Sequence, residues 1–409
     1  MTVGQNSASI ESSSDPARRR MLYGVEAVTG LASTMLIISI YFYTEKRFGW
    51  KMRQNLLLAA AEGLVYVVGS LAASFISTRF GRRNSLLVVY AILATIAAIG
   101  IIRPTPTVVT SLLIIYTMVI SLTWPMLESL VSADLPPRQL SRVLGAYNLV
   151  WAGIGACAVA VNGSIIEHWP KGVFIIPTAA HVAGLILLAL TPATPTSEAH
   201  VESSEDLRAE DALLEQRRLA LWLSRIALPA TYIVIFSLSA MLPSLAAIKR
   251  LPTSYATLVG SAWLVARWFA FWFLGATHWW HTRPRLLLWA AVLMLIGFIG
   301  TVLPATRSGP LSTILAAMIG SQILLGMALG LIYSASLYFG MVLSDGSTEH
   351  GGYHEALIGL GQTMGPLAGA IAQTIWPGNA VAGIAAVSGL VALAILAAAG
   401  AAWRARRTT

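Results

Sequence analysis

The chain has 409 residues, 56% of them hydrophobic and only 11% charged, whereas soluble domains carry roughly 25% charged residues; a water-soluble globule is excluded. A formal charge of +9 would suggest a nucleic-acid partner in a soluble protein, but in a membrane protein Lys and Arg gather in cytoplasmic loops, so here the charge informs topology and no nucleic acid is called for. The single cysteine, Cys157, lies in an apolar run and excludes an intrachain disulfide and a cysteine-based metal site.

A helical crossing takes about 20 apolar residues. In chain order, apolar runs fall at 22–44, 55–77, 85–103, 108–131, 143–167, 173–191, 221–245, 254–275, 286–304, 311–340, 353–376 and 380–402. The expected fold is all-α and integral to the membrane, with twelve transmembrane helices in two pseudo-symmetric six-helix bundles. A polar cytoplasmic tail occupies 1–21 and ends in Arg18, Arg19 and Arg20; the apolar run that follows is too long for a signal-peptide core and reads as a permanent span. The first bundle is 22–191, a cytoplasmic central loop rich in Glu and Asp is 192–220, the second bundle is 221–403, and a basic cytoplasmic tail is 404–409. With both termini cytoplasmic, 17 basic residues fall on that side and nine on the other, the bias that orients membrane proteins.

Polar residues mark a division of labour among the spans. Spans 3, 6, 9 and 12 are almost bare, which suits contact with lipid. Span 1 carries Tyr23, Glu26, Gly30 and Ser33; span 2 carries Glu62, Tyr66, Ser70, Ser74 and Ser77; span 4 carries Thr117, Ser121, Trp124 and Glu128. Each set recurs every three to four residues and forms one stripe. Span 7 repeats the scheme with Arg225, Tyr232 and Ser239, span 10 with Gln322, Gly326, Tyr333 and Ser336, and span 11 with Glu355, Gly359, Gln362, Pro366, Gly369 and Gln373. Two halves with polar faces turned inward are what alternating access between two rocking bundles requires.

After span 2, Thr78-Arg79-Phe80-Gly81-Arg82-Arg83 resembles the loop signature of the major facilitator superfamily, Gly-x-x-x-Asp-Arg-x-Gly-Arg-Arg, with Ser74 in place of the first Gly and Thr78 in place of Asp. Gly352, Gly361, Gly365-Pro366 and Gly369-Ala370 resemble the spacing of the superfamily's antiporter motif, here on span 11 rather than span 5. The resemblance implies a secondary transporter with a cytoplasmic gate of charged residues. For that gate the candidates are Arg79, Gly81, Arg82, Arg83, Glu128, Arg142 and Glu355, with Asp134, Arg138, Asp345 and Glu349 nearby in sequence.

Ionisable groups inside spans are costly and are functional candidates by default. Arg267, about 20 Å into span 8 at 1.5 Å per residue, must meet water, a carboxylate or a substrate anion, because a guanidinium keeps its charge; its alternative is a permanent structural pair. Glu26 and Glu62 are candidates for a coupling proton, since a carboxyl alternately hydrated and desolvated changes its proton affinity; their alternative is to hold neighbouring helices together. Asn148, Gln322, Gln362 and Tyr333, with Trp124, Trp151, Trp263 and Tyr232, supply the few polar groups and apolar walls of a solute cavity. Gly361, Gly365 and Gly369 read as a close helix-packing face and Pro366 as a bend. His181 reads as a packed imidazole.

The chain has no Walker-type loop and no His-Glu-x-x-His. It calls for no cofactor and no metal and is not read as an enzyme. The expectation is a monomeric secondary transporter that moves a small organic solute by alternating access and couples it to protons. A proton-driven multidrug or cation exporter of the same fold is the nearest alternative, and a polytopic membrane-embedded transferase or sensor the alternative from another class. The partners are the solute, protons and the lipid bilayer. Arg outnumbers Lys 23 to 4, which points to a GC-rich bacterial coding sequence and to the plasma (inner) membrane.

In a Cys157→Ser background, Ser203→Cys should be shielded from an impermeant thiol reagent in whole cells while Gly49→Cys reacts. Equal labelling of the two would overturn a cytoplasmic central loop.

Overall fold

The computed structural model describes residues 16–132, 137–192, 207–277, 279–283, 285–343 and 348–405. Asp134, Ser203, His278 and Asp345 lie outside the described residues. Twelve long helices account for almost all of the chain described: α1 (Ala17–Ile38), α2 (Met52–Phe80), α3 (Arg82–Ile102), α4 (Pro106–Ser132), α5 (Pro137–His168), α6 (Gly172–Leu190), α7 (Leu207–Met241), α8 (Thr253–Ala276), α9 (Leu286–Val302), α10 (Leu311–Leu343), α11 (Thr348–Ile375) and α12 (Ala380–Ala405). Eleven of the twelve are long and apolar enough to cross a membrane. The remaining one, α11, is 28 residues long; Glu349, His350, His354, Glu355, Gln362 and Gln373 are spread along it and leave it no comparably apolar stretch.

Several helices outrun their apolar cores. The helix of α7 begins at Leu207, so the expected loop 192–220 gives way to helix over 207–220, where Leu, Ala, Glu, Gln and Arg are all strong helix formers. After α1 a further helix, Ile40–Phe48, extends past the expected end at 44 and stops at Gly49, which adopts φ 65°. Gly81, with φ 79°, turns the chain from α2 into α3 without the clash a side chain would meet there.

Three breaks shape the interior. The last turn of α1, Thr34–Ile38, is π-helical; the hydroxyl of Ser39 donates to the carbonyls of Thr34 (3.1 Å) and Met35 (3.3 Å), and Asn162 Nδ2 of α5 donates to Ser39 Oγ at 2.6 Å. α4 is interrupted between Ile120 and Thr123, because Pro125 has no N–H for the carbonyl of Ser121 and its ring crowds that carbonyl. α8 is interrupted at Ser261. There the side-chain amide of Gln322 on α10 replaces the lost helical bond: its nitrogen donates to Val259 O (3.0 Å) and its oxygen accepts from Trp263 N (3.4 Å). In a dry medium such broken backbone persists only where other groups satisfy it.

The two halves meet along α2–α11 and α5–α8. Glycines let the backbones touch. A Cβ at Gly63 would lie 2.5 Å from the amide nitrogen of Thr363 and 2.7 Å from the carbonyl carbon of Gln362; one at Gly145 would lie 3.1 Å from Gly275 Cα. At the end of the bundle away from the termini, Glu167 Oε1 accepts from Thr253 N (2.6 Å), Gly163 N donates to Thr257 Oγ1 (3.1 Å), and Lys249 pairs with Glu45 at 3.6 Å.

Gly63→Ala should therefore destabilise the protein by about 1–3 kcal/mol, the usual cost of overpacking, seen as a lower unfolding temperature in detergent. Gly389→Ala, with nothing within 4 Å, should leave it unchanged or raise it; a reversed order would contradict the α2–α11 packing.

Candidate functional site

At the centre of the bundle lies a cavity of about 100 Å³. Every lining residue comes from α1, α2, α4, α5, α7, α8, α10 or α11, and none from the four polar-poor helices α3, α6, α9 and α12. The breaks point residues into it: Thr34, Ile37 and Ile38 from the π turn, Trp124 just after the α4 break, and Trp263, Leu264 and Arg267 after the α8 break.

Arg267 is 5% exposed. Its guanidinium carbon lies 4.5 Å from the ring centre of Trp151, 4.8 Å from Trp263 and 5.9 Å from Phe271. Trp151 belongs to the first half and the other two to the second, so the cation is held across the junction. Such contacts contribute roughly 2 kcal/mol or more when desolvated. No carboxylate pairs with the guanidinium among the described residues, and its Nε has no hydrogen-bond partner. Trp151, Phe271 and Tyr333 also touch one another, with ring centres 5.5–5.7 Å apart. This cluster separates the cavity from a smaller pocket of about 20 Å³ that includes Asn148, Gly145, Gly275 and Tyr338.

Acids line the cavity as well. Glu26 on α1 and Glu355 on α11 line the cavity and are buried. Tyr66 on α2 hydrogen-bonds Glu355 across the two halves and stacks on Trp124, with ring centres 5.9 Å apart. Both carboxyl oxygens of Glu26 lack a hydrogen-bond partner, although Tyr147 and Trp124 are its polar neighbours. Glu128, one turn beyond Trp124, is likewise buried with both oxygens unpartnered, and lies within electrostatic reach of Glu355 and Glu26.

Among the other residues singled out in the sequence, Tyr333 lines the cavity and Asn148 lines the smaller pocket, accepting from Trp151 Nε1 at 3.2 Å. Gln322 holds the α8 break instead of lining the cavity. Glu62 is buried beside it rather than in its wall, with Tyr41 donating to Glu62 Oε2 at 2.8 Å. Gln362 is buried and both its amide atoms are unpartnered. Gly361 and Gly365 face Pro229, Ile233 and Ser237 on α7, and Gly369 faces Leu56 and Met241; Pro366 lies within α11. His181 is buried and shares a hydrogen bond with Tyr116, 2.9 Å from ring nitrogen to hydroxyl.

The basic residues expected at the gate do not converge on Glu355. Arg79 is exposed and lies over the ring of Phe80 at 5.9 Å, Arg83 donates to Ala189 O at 2.7 Å, and Arg142 is exposed. Arg82 is exposed beside them, and Glu355 belongs to the cavity wall. Sequence reasoning did not single out Phe271, since an apolar ring in an apolar helix carries no signal of its own, nor the π turn, which no spacing marks.

A sequence profile of the Major Facilitator Superfamily matches residues 22–351. The chain belongs to that superfamily. It is a transporter and not an enzyme. No curated protein matches it in sequence. Solved structures of the same fold include a single-residue variant of the nucleoside transporter NupG (TM-score 0.67, 12% identity, covering 94% of this chain and 99% of that one) and a bacterial homolog of the human lysosomal transporter Spinster, captured inward-facing and unoccupied (0.66, 15%, 97% and 98%). Unmutated NupG matches with a TM-score of 0.64 at 13% identity. At these identities the likeness speaks for the fold alone.

If the guanidinium contacts solute, Arg267→Lys should impair transport almost as much as Arg267→Ala, because an ammonium does not reproduce the planar fork. Losing a charge-assisted hydrogen bond should lower kcat/KM about 10–100-fold, measured as flux into proteoliposomes at matched protein. Undiminished flux in Arg267→Ala would place the residue off the solute's path.

Proposed function

We propose that this superfamily member is a proton-coupled secondary transporter of a small organic anion, working by alternating access between its two halves. The observation that carries the reading is Arg267: a permanent cation in the cavity wall, caged by rings from both halves, with no carboxylate among the described residues paired to it. A solute carboxylate would supply the missing partner, and the indole and phenol rings would cover an apolar or planar body. Such a solute touches both halves at once, so its binding favours their closure around it.

Glu26 is the proposed proton carrier. It shares the cavity with the solute, has no fixed hydrogen-bond partner, and lies within the electrostatic reach of Glu128 and Glu355. Glu62, the other acid that the sequence brings forward, is tied to Tyr41 away from the cavity wall. The proposed setting is a bacterial plasma membrane with both termini cytoplasmic, supported by the 17-to-9 division of basic residues. A monomer suffices, because one chain builds the whole cavity.

Replacing Glu26 by Gln keeps size and hydrogen bonding but removes titration. In proteoliposomes screened with small organic anions, Glu26→Gln should abolish accumulation driven by a pH gradient and retain solute exchange across an unenergised membrane. Full pH-driven accumulation in the variant would refute proton carriage by this residue.

A further inference from the structure

Beyond the cavity, away from the termini, the α2–α11 contact buries polar atoms that have no partner among the described residues. Glu62 precedes the cavity residue Tyr66 by one helical turn on α2, and Gln362 follows the cavity residue Ile358 by one turn on α11. Both therefore continue the cavity-facing stripes of their helices. Gly63 packs directly on the Gln362–Thr363 backbone, which brings the two helices together at this level.

Both side chains are 0% exposed. One oxygen of Glu62 accepts from Tyr41, leaving the other without a partner, and neither amide atom of Gln362 has one. Pro366 has no N–H, so the main-chain carbonyl of Gln362 lacks its ordinary helical donor as well. Ser237 on α7, against Gly365 one turn farther along α11, has an unpartnered buried hydroxyl too. Orphaned buried polar groups are rare and call for water or an ion.

We infer that Glu62 and Gln362 hold a sodium ion between the two halves. The available donors are a carboxylate oxygen, an amide oxygen and a main-chain carbonyl, all hard ligands that suit a hard cation. Ionised Glu62 would bring one negative charge to them. A monovalent ion leaves the junction neutral, whereas a divalent one would strand a net charge in a dry interface. Tyr41 fixes the second carboxylate oxygen and so the direction of the first. Since the ligands come from both halves, sodium would bind tightly only when α2 and α11 are in contact at this level, and would bias the transporter toward that state.

The test needs neither the solute nor the proton reading to be right. Thermal unfolding of the purified full chain in detergent should shift upward, saturably, in sodium chloride relative to equimolar choline chloride or potassium chloride. Radiolabelled sodium should be retained at about one ion per chain, the occupancy of a single closed site. Glu62→Gln and the volume-conserving Gln362→Met should each weaken retention by about tenfold or more, while Arg267→Ala and Glu26→Gln should retain it. If Glu62→Gln fails to fold, Gln362→Met alone decides. Equal stability in sodium and choline, an equal effect of potassium, or undiminished retention in Gln362→Met would overturn the inference and leave water as the occupant.

Discussion

A guanidinium out of water keeps its charge, and the arrangement of the central cavity follows from that constraint. Around Arg267 the described residues supply ring faces rather than a carboxylate, so among them the cation is accommodated without being neutralised. Because Trp151 comes from one half and Trp263 and Phe271 from the other, moving the halves apart changes the cation's surroundings directly.

Placing these rings requires helices that do not run straight. The π turn in α1, the proline break in α4 and the Ser261 break in α8 each release backbone groups that lipid could not satisfy. The repairs come from neighbours: Ser39 with Asn162 in the first case, Gln322 in the third. Some conspicuous polar residues of the spans thus serve the backbone so that other residues can face the cavity.

The sequence made the architecture legible because the bilayer imposes length and apolarity on each crossing, and the bare composition of α3, α6, α9 and α12 announced the helices that leave the cavity to others. Arg267, Glu26 and Tyr333 were legible for a related reason, being too costly or too polar to face lipid. Gln322 and Glu62 show the limit of that logic. Cost in lipid says that a polar residue has a partner, not whether the partner is a solute, a backbone amide or a neighbouring tyrosine. Helix ends were blurred where good helix formers continue into water, as at 207–220, and the role of Glu355 was obscured because its distance from the loop in sequence says little about depth when α11 packs tightly on α2.

The Lys249–Glu45 pair joins the halves at the end away from the termini, with its side chains 50% and 29% exposed. Exposed pairs contribute about 0–1 kcal/mol and weaken as salt is added. The hold on that side is thus set partly by the salinity of the surroundings, whereas the ring cage around Arg267 is shielded from it. The same chain would hold its two halves together less firmly at that end in brackish than in dilute media, with no residue changed.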